Sequence, residues 1–319
     1  MSPWGRCALC ASVVAALGLG GAAAHGRAPA PVGSSAGADS QAPQWVELAY
    51  GEDPRQRLDL YRAPSTAPRP LVVLVHGGSW VSGDKKNFRA QAPRFVPWWL
   101  ERGYVVAAVN VRLATPIGQP RRVGPLDQAR DVAAALAWLE ARAGELGIAD
   151  QGAIVVGYSS GAHTVALVGA DPRYLEEVAL KAGYVRATIS LDVHSYDVPF
   201  ALELMSGSVV QRNTPLIRHL FGSTEAAQRA ASPAAYLDTP VAPAMLVSVD
   251  RDPGTPGTHG YITSAAARRY AGLLTEHGHR ASTLHAVGEN HTSLAVGFGE
   301  ADDEVTSAVA AFLDTLTGP

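Results

Sequence analysis

Cysteine is almost missing from this sequence. Of 319 residues two are cysteine, Cys7 and Cys10, so no disulfide framework can staple the chain. A lone C-x-x-C pair without a second pair also lacks the spacing of a metal site. Basic excess is missing too: the formal net charge is −3, and the pairs Lys85-Lys86, Arg121-Arg122 and Arg268-Arg269 are too short to make a polyanion surface. No nucleic-acid partner is expected. Nor does any apolar run reach the roughly 20 residues that a spanning helix takes; the strongest, at 8–19, falls short of that. No internal repeat is apparent.

What is present is enough apolar material, 47% against 17% charged, to bury a large core in one α/β domain. The first residues read as an export signal: Arg6, the apolar stretch 8–19, then Ala22-Ala23-Ala24 as an A-x-A cleavage site. Residues 1–24 are therefore expected to be removed near Ala24, taking both cysteines with them and leaving no stable membrane anchor. A secreted or periplasmic location follows. Residues 25–43, mostly Ala, Gly, Pro and Ser, cannot bury enough surface to fold and read as a flexible linker. The folded domain is expected over 44–319.

Within it, 45–50 and 58–61 alternate apolar and polar around Gly51-Glu52-Asp53-Pro54, as a hairpin at a sheet edge does. From residue 71 the pattern becomes unbroken, β-branched runs at 71–75, 104–109, 153–156, 185–191 and 244–249, the composition of strands covered on both faces. Helical spacing appears at 89–101, 126–146, 162–169 and 262–277; a further strand is expected at 280–287 and a closing helix at 303–316. An opening hairpin followed by β-α alternation predicts a mostly parallel sheet with helices on both faces. The stretch 194–243 has no long period and reads as a small insertion over the site.

Between the run 153–156 and the helix that follows lies Gly157-Tyr158-Ser159-Ser160-Gly161. A serine on a sharp strand-to-helix turn is held in a strained conformation with its hydroxyl exposed above the strand ends, and glycines on either side relieve the clashes. Ser159 is accordingly the candidate nucleophile, and the first helical N–H, that of Ser160, is aimed at a developing oxyanion. The pattern alone is weak evidence. Gly33-Ser34-Ser35-Ala36-Gly37 matches it as well, but without a strand before or a helix after.

Ligand chemistry in such folds gathers beyond the carboxyl ends of the strands. There stands His76-Gly77-Gly78-Ser79-Trp80, whose adjacent glycines let backbone amides approach a ligand, so Gly77 and Gly78 join Ser160 as oxyanion-hole candidates. Which of the amides of Gly77, Gly78 and Ser79 points inward stays open. Trp80 and Tyr158 are candidates for substrate binding, with ordinary packing weighing equally for Trp80. A serine needs a base and an acid to orient it. Of ten histidines, His291 in Gly288-Glu289-Asn290-His291-Thr292 directly follows a strand and is the candidate base. His277, His279 and His285 read as solvated or packed, with no carboxylate at metal-ligand spacing beside them. The acid is sought after the strand 244–249, where Asp250 and Asp252 both stand and Asp252 is preferred because Asp250 still belongs to the strand end. The order Ser159, Asp252, His291 is that of the hydrolase fold that carries this elbow.

On HGGSW at 76–80, GYSSGAH at 157–163, ISLDVHSYD at 189–197, FGS and ASPAAYL within 221–237, and GENHTSL at 288–294, residues 45 to 316 resemble an α/β-hydrolase of the esterase/lipase branch with the HGG-x-W motif. Small carboxylesterases, feruloyl- and acetylxylan-type esterases and arylformamidases share that branch. The resemblance implies the α/β-hydrolase fold, a triad at Ser159, Asp252 and His291, oxyanion positions at Gly77, Gly78 and Ser160, and no cofactor or metal. Ser248-Val249-Asp250-Arg251 stands where the family usually has a glycine before the acid. The expected activity is hydrolysis of small carboxylic esters through an acyl-enzyme. The alternatives are amide hydrolysis by the same triad and a non-catalytic binding protein, which the intact set of triad residue types disfavours.

Overall fold

Trp45 and Leu48 point inward from β1 (Trp45–Ala49), which pairs antiparallel with β2 (Arg57–Tyr61) as the expected edge hairpin. In the computed structural model, residues 43–120, 122–206, 211–250 and 255–316 are described. The export signal 1–24, the linker except Pro43, and Asp252 lie outside them. After the hairpin the chain alternates. β3 (Arg69–Val75) leads through α1 (Asn87–Ala90) and α2 (Phe95–Glu101) to β4 (Val105–Val109), and α3 (Pro125–Glu140) and α4 (Ala143–Leu146) lead to β5 (Ile148–Tyr158). α5 (Ser160–Ala170) and α6 (Arg173–Glu176) precede β6 (Val185–Leu191); α7 (Val198–Met205), α8 (Thr214–Phe221) and α9 (Glu225–Ala230) precede β7 (Ala244–Asp250). α10 (His259–Glu276), β8 (Ala281–Val287), α11 (His291–Gly297) and α12 (Glu304–Leu316) follow.

Among the described residues eight strands form one sheet in the order β1-β2-β4-β3-β5-β6-β7-β8. The β1–β2 and β2–β4 pairs are antiparallel and the rest parallel. The two-residue period of a strand sends Leu71, Val73 and Val75 to one face against Val132, Leu136 and Leu139 of α3. Val72 and Leu74 go to the other, against Trp98 and Trp99 of α2 and Val305 and Val309 of α12. Both faces are dry, which is why these strands read as unbroken apolar runs. Each such side chain contributes about 1.5–3 kcal/mol on burial.

Two expected helices are split. The span 89–101 breaks at Pro93, whose ring cannot continue a helix, so α2 starts afresh at Phe95. The span 126–146 ends at Glu140 and resumes as the single turn α4, where Gly144 is a poor helix former and Gly147 terminates the turn at φ 68°. The insertion 194–243 holds α7 to α9, which the weak periodicity of the sequence concealed. Val198, Met205, Ile217, Leu220 and Phe221 pack there around Trp80, Ala114 and Ile262, and this seats the insertion on the carboxyl side of the sheet. No helix among the described residues is long and apolar enough to cross a membrane.

Candidate active site

Ser159 joins the last residue of β5 to the first of α5 at φ 55° and ψ −123°. For a residue with a Cβ that backbone costs of order 1–3 kcal/mol, and here the surroundings enforce it. A Cβ on Gly157 would lie 2.2 Å from the carbonyl oxygen of Gly161, and one on Gly161 would lie 2.2 Å from that of Val75. Neither position admits another residue without moving backbone. The Ser159 N–H donates to Leu191 O at 2.8 Å, which ties the turn to the end of β6. The N–H of Ser160 opens α5 and, as a first-turn amide, has no partner within its helix.

The His76–Trp80 loop is pressed against this turn. A Cβ on Gly77 would come within 2.8 Å of the Ser159 Cβ, so only glycine allows the approach. Gly78, Ser79 and Trp80 then take φ values of 131°, 53° and 64° in succession. Three consecutive positive φ values, two without glycine, mark a loop held by its neighbours: Gln128 Nε2 donates to Trp80 O at 2.7 Å and Ala114 N to the same oxygen at 2.8 Å. Below it His76 is buried, its Nδ1–H donating to Gly77 O at 2.8 Å, and burial pushes its pKa down to about 4. Trp80 takes the packing role. It is buried, its Nε1–H donates to His163 Nδ1 at 3.3 Å, and its ring meets Phe221 edge-on at 5.0 Å.

His291 is the first residue of α11, and a capping box fixes it there. The Asn290 side chain accepts from the N–H groups of Thr292 and Ser293, while Ser293 Oγ accepts from Asn290 N. The Tyr158 hydroxyl donates to the His291 carbonyl at 2.6 Å and the two rings stack at 4.8 Å. The residue before the nucleophile thus holds the imidazole beside the elbow. Burial raises the pKa of the Tyr158 hydroxyl, so it stays a donor.

The carboxylate that meets His291 is Asp192, one residue past the end of β6. His291 Nδ1–H donates to Asp192 Oδ2 at 2.6 Å, and His259 Nε2–H donates to the same oxygen at 2.9 Å. Val249 N–H donates to Oδ1 at 3.3 Å. The Asp192 side chain has no exposed surface. Burial alone would raise its pKa, but the hydrogen bonds and charges of His259 and His291 outweigh it and hold the carboxyl well below the usual range. For His259 burial works downward, and the bond to Asp192 raises its pKa against that. An imidazole whose Nδ1–H is engaged by a carboxylate leaves Nε2 free to accept a proton.

Ser159, His291, Gly77, Gly78, Ser160 and Tyr158 therefore come together at the carboxyl ends of β3, β5 and β8. Asp252 lies outside the described residues. Asp250 is buried at the end of β7, with a carboxylate oxygen 3.9 Å from His285 Nε2. Sequence reasoning passed over Asp192 and His259. Asp192 stands inside the stretch ISLDVHSYD, one residue past the buried strand β6, a position that marks a strand end without naming a partner. Asp192, His259 and His291 also form the one group of His, Cys, Asp and Glu among the described residues whose ligand atoms lie close enough together, within 4.8 Å, to hold a metal ion.

The BD-FAE family model matches residues 58–264, well over half of the chain. Two curated proteins of Mycobacterium tuberculosis are similar. Esterase LipC is 32% identical over 136 residues, 41% of this chain and 32% of LipC, and esterase LipQ is 24% identical over 254 residues, 77% of this chain and 58% of LipQ. The matches span less than two thirds of either relative's length. Among solved structures, esterase B from Lactobacillus rhamnosis superposes with a TM-score of 0.65 at 18% identity, covering 85% of this chain and 84% of that one. At that identity the likeness speaks to the fold.

Proposed function

Since the chain belongs to the BD-FAE family, within the esterase/lipase branch of the α/β-hydrolases, we propose that it hydrolyses small carboxylic esters through an acyl-enzyme. Ser159 Oγ attacks the ester carbonyl as its proton passes to His291 Nε2. The imidazolium so formed is stabilised by Asp192, and the oxyanion is met by backbone amides of the Gly77-Gly78 loop and by that of Ser160. Collapse transfers the proton to the leaving alcohol; water then repeats the sequence on the acyl-enzyme and releases the acid. The observation that carries this reading is the 2.6 Å bond between His291 and a buried, ionised Asp192, with His291 stacked on the residue next to Ser159. The named esterase relatives support the ester substrate class.

The test is hydrolysis of a p-nitrophenyl ester series, acetate through dodecanoate, beside matched anilides. Esters should be cleaved and Ser159→Ala should be silent. Asp192→Asn should lower kcat by about 10⁴-fold, the loss expected when the base is left in the wrong tautomer, while Asp252→Asn leaves most activity. Cleavage of anilides alone would replace the ester reading with an amide one, and the reverse ranking of the two aspartates would return the acid to Asp252. Export with cleavage near Ala24 is part of the same proposal, resting on the A-x-A site; the mass of the protein recovered outside the cytoplasm checks it.

A further inference from the structure

We propose that Asp192, His259 and His291 form a binding site for a divalent transition-metal ion of the zinc class, and that its occupation switches the hydrolase off. The proposal rests on His291 being the catalytic base. Asp192 Oδ2, His259 Nε2 and His291 Nδ1 lie within 4.8 Å of one another, and the two rings converge at 71° with centroids 4.9 Å apart. Two imidazoles and one carboxylate, with a fourth position left to water, is a donor set that borderline metals take. Zinc bonds of about 2.0–2.2 Å in a tetrahedron put neighbouring ligand atoms about 3.3 Å apart. The present nitrogen–oxygen separations are 2.6 and 2.9 Å, so each must widen by roughly half an ångström.

The surroundings favour that adjustment. The Asp192 Oδ1 is braced by Val249 N–H, the outer support that ligating carboxylates use. The imidazoles are reachable, at 42% and 34% side-chain exposure. A cavity of about 270 Å³ opens beside them, and Asp250 and Glu289 add negative charge to its lining. Sequence spacing could not show this site, because its ligands are spread from 192 to 291.

Occupation acts on the atom the reaction needs. In the resting site His291 carries its proton on Nδ1 and offers the lone pair of Nε2. A metal ion on Nδ1 requires the lone pair there, so the neutral ring carries its proton on Nε2, facing Ser159. His259 likewise presents the lone pair of Nε2 to the ion and carries its remaining ring proton on Nδ1. The serine is then left without an acceptor while the fold is unchanged.

The experiment adds zinc chloride to the full chain and follows p-nitrophenyl acetate hydrolysis, with calorimetric titration of Ser159→Ala in parallel. Expected are one ion per chain, inhibition reversed by EDTA, and a zinc affinity weaker by at least about tenfold in both His259→Ala and His259→Gln. Glutamine keeps a donor toward Asp192, so a folded second variant is secured; melting curves confirm that each is folded. Equal zinc affinity in both variants and the parent, or no stoichiometric binding, overturns the site. Because binding is read on the Ser159→Ala protein, a failure of the esterase reading leaves the metal question decided by calorimetry.

Discussion

His163 has no exposed surface and is neutral by its partners: Nδ1 accepts from Trp80 Nε1–H at 3.3 Å, and Nε2–H donates to Ala231 O at 2.8 Å. A second ring proton would point a donor at a donor. Burial lowers its pKa to about 4, as it does for His76. An unfolded chain takes up these protons near 6.5, so between about 6.5 and 4 the unfolded state binds more protons than the folded one. Stability is therefore full above about 6.5 and is lost as pH falls towards 4. Urea midpoints at pH 7.5 and 4.5 should differ by an amount on the order of a few kcal/mol in stability, and His163→Gln should reduce that difference while His76 and His194, also buried with lowered pKa values, retain the remainder.

At the level of elements, the glycine turns separate function from fold. Gly77→Ala pushes a methyl to 2.8 Å from the Ser159 Cβ and 3.0 Å from the Tyr158 carbonyl oxygen, so the relief of the clash displaces the loop and the catalytic turn relative to each other. A displacement of that kind costs about 10²-fold in kcat, with the melting temperature changed little; kcat and Tm measured together check it. Gly161→Ala meets the backbone carbonyls of Val75 and His76 and should lower Tm as well. The same contrast governs what could be read beforehand. Strands were legible because two dry faces leave β-branched runs unbroken, and Ser159 and His291 because each sits in a short motif beside its strand. Asp192 and His259 were not, since their contact with His291 is made by the parallel order of β5, β6, β7 and β8, and nothing local in Leu191-Asp192-Val193 announces a partner 99 residues away. Asp252, the sequence choice for the acid, falls outside the described residues.

Across the whole molecule, the insertion 194–243 is packed on the domain through several apolar contacts, and one of them is an aromatic corner, Phe221 against Trp80 and His163. Phe221→Ala should cost about 3–5 kcal/mol. The loss should be uneven: hydrogen exchange should speed up across α7 to α9 while β3 to β6 stay protected. Uniform acceleration would mean that insertion and sheet unfold as one unit. Tyr158 makes the opposite kind of connection. With its ring on His291 and its hydroxyl on the His291 carbonyl, it fastens nucleophile and base to each other directly. The loops that lie between them in the chain are thereby released from setting that distance, and it is there that this scaffold can accept added length while keeping its chemistry.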